Sequence, residues 1–126
     1  MATESLVIDL KESGQLLLNE LREGGFDVTV AAWLHVSIEE RWIFYIASTD
    51  VDDDGKTTAY RRLHAAISDN VRSWVLETSI RLIRTDDPVA VDALELRRKT
   101  PANIPINFGG RTLGGKTIDA AYIYPA

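Results

Sequence analysis

Phe26-Asp27-Val28-Thr29-Val30-Ala31-Ala32-Trp33-Leu34-His35-Val36 and, after four intervening residues, Arg41-Trp42-Ile43-Phe44-Tyr45-Ile46-Ala47-Ser48-Thr49 form the most informative part of the chain. In the first segment Phe26, Val28, Val30, Ala32, Leu34 and Val36 alternate with Asp27, Thr29, Ala31, Trp33 and His35, the period of a β-strand. The second is rich in aromatic and β-branched residues and reads as the return strand of a hairpin. If Leu34 faces Ile43, Trp33 lies opposite Phe44 and His35 opposite Trp42; a slip of one residue pairs Trp33 with Ile43 instead.

In neither register is the second side of this hairpin polar, although an antiparallel sheet with one wet face normally alternates apolar with polar residues. Trp33 with Trp42 and Phe44, or with Ile43 and Tyr45, therefore needs a cover. The cover is a second layer from the chain's own helices or C-terminal segment, or else a second copy or partner docked on the sheet. The working expectation is an interaction surface formed by Trp33, His35, Trp42 and Phe44.

Upstream, Leu6, Leu10, Leu17 and Leu21, joined by Leu18, recur at helical spacing up to the stop signal Gly24-Gly25. The start lies between Glu4 and Ser13, and Gly14 weakens the middle. Downstream, acidic Asp50 to Asp54 and Gly55 lead into a helical stripe of Tyr60, Leu63 and Ile67 over Thr57 to Ser68. Val71 and Trp74 extend the stripe unless Ser68-Asp69-Asn70 breaks it. Thr78 to Arg84 alternates as a third strand, and Asp87-Pro88 opens a helix that runs toward Pro101. Pro101 to Thr117 is Pro- and Gly-rich and only briefly strand-like, at Ile104 to Phe108; a loop of that length asks for a function or a tether. Ile118 to Tyr124 reads as the last strand. The order α-β-β-α-β-α-(β)-β makes residues 1 to 126 one α+β domain. Its sheet is mainly antiparallel, of four to five strands, with helices on at least one face.

Composition narrows the function classes. With 126 residues, 45% of them apolar and 26% charged, the chain suits one globular domain large enough to fold without staples. The absence of cysteine excludes disulfides, thiolate metal sites and a cysteine nucleophile. No apolar run approaches the roughly 18 residues of a membrane span, and the N-terminus lacks a signal pattern, so a cytoplasmic protein without membrane contact is expected. The net charge of −5 argues against nucleic-acid binding. Charge is also uneven. Residues 1–54 carry twelve acids and three bases, residues 55–126 seven acids and eleven bases, and Arg97 to Lys116 has five bases and no acid.

Two motifs fail their contexts. Gly110-Arg111-Thr112-Leu113-Gly114-Gly115-Lys116-Thr117 matches the phosphate-loop pattern G-x-x-x-x-G-K-[ST], but only nine residues follow, and they read as a strand where a helix is required. A weaker claim survives as an alternative: an anion-binding or hydrolytic site under loop 101–117, using Gly110, Arg111, Gly115 and Lys116. Asp50, Asp52, Asp54 and Gly55 open like a calcium loop, yet the twelfth position is Arg61. His35 and His64 form no metal-binding pair, and no G-x-S-x-G elbow is present. No catalytic residue, metal or cofactor is assigned, and enzyme activity is left open. The leading expectation is a non-catalytic interaction or accessory module that is a homo-oligomer or binds a protein partner.

Overall fold

The computed structural model describes residues 8–125; Leu6 and the earliest of the expected helix starts lie outside them. The chain runs α1 (Ile8–Glu23), β1 (Val30–Val36), a 3-10 turn (Ser37–Glu39), β2 (Arg41–Ala47), α2 (Thr49–Ala65), α3 (Asp69–Glu77), β3 (Ile80–Ile83), α4 (Pro88–Arg98), β4 (Ile106–Leu113) and β5 (Lys116–Ile123). It forms one α+β domain around a five-stranded sheet of order β3-β2-β1-β5-β4. Every pairing is antiparallel except β2 with β3, which is parallel.

All seven residues of β1 are buried, which accounts for the apolar character of both its sides. Ala31 and Trp33 face a core built with Leu17, Leu18 and Leu21 of α1, Val51, Ala59 and Leu63 of α2, and Val75 of α3. Val30, Ala32, Leu34 and Val36 face a second core, closed by Val89, Ala90 and Ala93 of α4. The cover that the aromatic face requires is thus the chain's own, three helices deep on one side and one helix on the other. Leu34 faces Ile43, Trp33 faces Phe44 and His35 faces Trp42, the first of the two registers considered above.

Local chemistry explains the boundaries. The Gly24-Gly25 stop ends α1, with Gly25 at φ +82° and the Phe26 amide donating to the Leu21 carbonyl at 2.8 Å. This wrapping takes Phe26 to Thr29 out of the strand, which is why β1 starts at Val30. The acidic segment is the first turn of α2, not a turn before it: Ser48 is the N-cap, accepting from the Asp50 amide, and Gly55 (φ 82°, ψ 167°) kinks the helix. Ser68 caps α3 as a separate helix, so Ser68-Asp69-Asn70 does break the stripe. Asp87 caps α4 with proline in its first turn. The largest departure is at loop 101–117, most of which is strand, β4 and the start of β5. Gly114 (φ 57°) and Gly115 (φ 81°) supply the left-handed pair of a two-residue hairpin turn between β4 and β5.

Candidate functional site

The four aromatic and imidazole residues singled out above divide into two environments. Trp33 (1% exposed) and Phe44 (0%) stack inside the first core, ring centroids 4.7 Å apart and 11° from parallel, with Trp74 edge-on to both. Trp33 Nε1 donates to Tyr124 Oη at 3.0 Å, and that hydroxyl donates to the Lys11 carbonyl at 2.7 Å. Burial pushes the Tyr124 phenol well above its ordinary range, so it stays a neutral donor. Sealed under the chain's own helices, Trp33 and Phe44 have no surface to offer a partner; that part of the expected interface is corrected.

His35 and Trp42 sit at one end of the sheet. A register shift between β1 and β5 falls at His35/Val36, and Asp119 lies at the resulting bulge. Its carboxylate receives Ser37 Oγ at 2.9 Å on one oxygen and meets His35 Nδ1 at 3.1 Å on the other. Trp42 packs edge-on to the imidazole, 5.3 Å between centroids. Such bulges re-aim side chains, and here one carboxylate clasps two strand ends. Serine and histidine each bond the acid and not one another, so the Ser-to-His link of a nucleophilic relay is missing. Among the described residues no three His, Asp or Glu side chains gather as a metal site.

The phosphate-loop look-alike lies in a strand, a turn and a second strand, with Thr117 inside β5. The Gly114 amide is already taken by Asp92 Oδ2 at 2.7 Å. A Cβ at Gly114 would stand 2.4 Å from the Val89 nitrogen, so this glycine serves close packing of the turn on α4. Arg111 lies over the Phe108 ring, 5.1 Å from its centroid. It lines a cleft of about 220 Å³ with Lys99, Asp92, Glu95, Leu96, Thr112 and Leu113. Gly115 and Lys116 stand at the turn and are not part of that lining.

The calcium-like acids are occupied. Asp50 accepts from the Asp27 amide and, with Asp54, from Arg62. Asp52 receives the amide and hydroxyl of Thr85, which hold its carboxyl below the usual range. Burial opposes ionisation of Asp27, but bonds from Thr49 and Thr29 outweigh it and lower that carboxyl too. Arg81 forks onto both oxygens of Glu39, at 3.0 and 3.1 Å, and reaches Tyr45 Oη at 3.0 Å. This pairing lowers the Glu39 carboxyl, while burial raises the Tyr45 phenol.

Sequence reasoning missed an exposed apolar side chain of the helical layer that stands beside a hollow. Leu16 stands 58% exposed on α1, beside a hollow of about 150 Å³ that it lines with Ser13, Asn70, Val71 and Trp74. The available signal was that Leu16 falls off the stripe of Leu10, Leu17 and Leu21, so one leucine of the Leu16-Leu17-Leu18 run had to face outward. No described helix is long and apolar enough to cross a membrane. Comparison with family models, curated proteins and solved structures finds no match to the chain.

Proposed function

We propose that this chain is a non-catalytic interaction module that pairs with a second copy of itself through the α1 and α3 face. One observation carries the reading: a projecting aliphatic side chain, Leu16, stands next to an apolar hollow on the same patch. Two-fold pairing needs a self-complementary surface, and a knob beside a hole provides one. A void near 150 Å³ accommodates a six-carbon ring, so the isobutyl group of Leu16 from the other copy fits. Glu12, exposed one turn before Leu16, adds an acid to the rim, whereas Asp69 is paired with Arg72 at 2.6 Å. Two copies bring like charges together there, so the contact is weak at low salt and tightens as salt screens them.

Sedimentation equilibrium over a wide concentration range tests this. The native chain is expected to show a monomer–dimer equilibrium that strengthens with salt, and Leu16→Glu, at an exposed helical position, to remain folded and monomeric. A native protein that stays monomeric near millimolar concentration, or a Leu16→Glu variant that dimerises equally well, overturns the reading.

A further inference from the structure

The two edges of the sheet are treated differently. Along β3 the outward backbone groups are capped by a side chain: Tyr60 Oη donates to the Ile80 carbonyl at 3.1 Å and accepts from the Leu82 amide at 3.1 Å. Those are the groups a neighbouring strand would take, and α2 packs alongside to close that edge. The β4 edge has no such cap. Among the described residues, no hydrogen bond reaches the β4 backbone from any element but β5.

The register identifies the free groups. The Tyr124 amide bonds the Ala31 carbonyl, so Tyr124 and, by alternation, Tyr122 and Ala120 turn their backbone groups toward β1. Ala121 and Ile123 then turn theirs toward β4 and engage Phe108 and Ile106. Asn107 and Gly109, both exposed, are left with amide and carbonyl directed outward. Beside them lies an apolar shelf: Ile106 and Phe108, partly buried against the second core together with Leu96, and Ile104, 46% exposed, just before the strand.

We propose that the outer edge of β4 accepts an extended acidic segment of a partner protein as a sixth strand. Main-chain bonds to Asn107 and Gly109 supply the pairing, and the shelf takes alternate side chains of the added strand. Charge selects an acidic occupant. Arg98, Lys99, Arg111 and Lys116 are exposed and form no ion pair among the described residues, against Glu95 and an Asp92 already bonded to the Gly114 amide. A second copy paired β4 to β4 would oppose the two sets of bases, which disfavours self-addition at this edge.

The probe is a fluorescein-labelled peptide that alternates glutamate and valine over the eight-residue length of β4. Fluorescence polarisation reads its affinity, and hydrogen exchange of the bound complex reads its position. Saturable binding is expected, with slowed exchange at the Asn107 and Gly109 amides. A peptide with lysine in place of glutamate should bind at least about tenfold more weakly, a difference of about 1.4 kcal/mol. Asn107→Pro removes an outward amide at an edge position where proline is tolerated, and should weaken binding about tenfold. N-methylating alternate residues of the peptide tests the same bonds without altering the protein. Leu16→Glu should bind the peptide as the native chain does, which separates this edge from the α1 and α3 face. The proposal is overturned by absent binding at millimolar peptide, by N-methylation without effect, or by protection that maps to α1 and α3. Concentration-dependent protection of β4 without peptide would overturn it in favour of a second copy.

Discussion

Replacing Gly14 with alanine separates two opposed effects whose sizes are known. In an isolated helix the change stabilises by about 1 kcal/mol, because glycine is the costliest ordinary residue in a helix interior. In this chain Gly14 is buried, and a Cβ built there would lie 2.1 Å from Tyr124 Oη, 3.0 Å from its Cζ and 3.1 Å from Trp33 Nε1. The hydroxyl would have to retreat by more than about 1 Å to reach ordinary contact, and it is held at both ends, by Trp33 and by the Lys11 carbonyl. Overpacking of this kind costs about 1–3 kcal/mol, and orphaning the buried indole N–H about 1–3 more. The net expectation is a loss of about 3 kcal/mol, or about 10 °C in melting temperature for a chain of this size. Urea unfolding followed by circular dichroism measures it. Repeating the substitution in a Tyr124→Phe background, where the nearest atom is gone, should reduce the loss by at least about 1 kcal/mol. A Gly14→Ala variant as stable as the native chain or more so, or one whose cost is unchanged in that background, would refute the reasoning.

Two further expectations concern buried charge and pH. Arg97 is buried and donates to the carbonyls of Tyr124, Pro101 and Ile104 with no carboxylate partner among the described residues. Arg97→Met keeps much of the volume but strands those acceptors, so stability should fall by about 2–4 kcal/mol, with faster hydrogen exchange in residues 101–105. Asp27, Glu39 and Asp52 have lowered folded-state pKa values, so they stabilise the fold above the unfolded values of 3.8 and 4.5 and lose that contribution as pH falls through the folded ones. Tyr45 and Tyr124 are raised, so their contribution is intact below pH 10 and lost above it. Unfolding free energy against pH should therefore be flat between about pH 5 and 9 and decline on both sides; a maximum below pH 4 would contradict the assignments.

The α+β class, the hairpin and its two possible registers, the caps at Gly24-Gly25 and Asp87-Pro88, and the failure of the phosphate-loop and calcium look-alikes were all legible from residue patterns. Each depends on local chemistry: strand alternation, the φ freedom of glycine, a capping carboxylate, the residues that follow a motif. Alternation likewise required that something cover Trp33 and Phe44, but could not say what, because a helix from the same chain and a partner bury the same surface. Only the folded chain brought α1 and α3 over that face and left Leu16 outside. Only long-range pairing placed Asp119 at a bulge against His35 and Ser37, residues 84 and 82 positions away. The same applies to Gly14, which reads locally as a weak point and is in three dimensions the room made for Tyr124. The two sheet edges show the division most plainly, since strand order is a property of which segments meet. Nothing in the local patterns of β3 and β4 indicates that Tyr60 closes one edge while the other keeps its amides free.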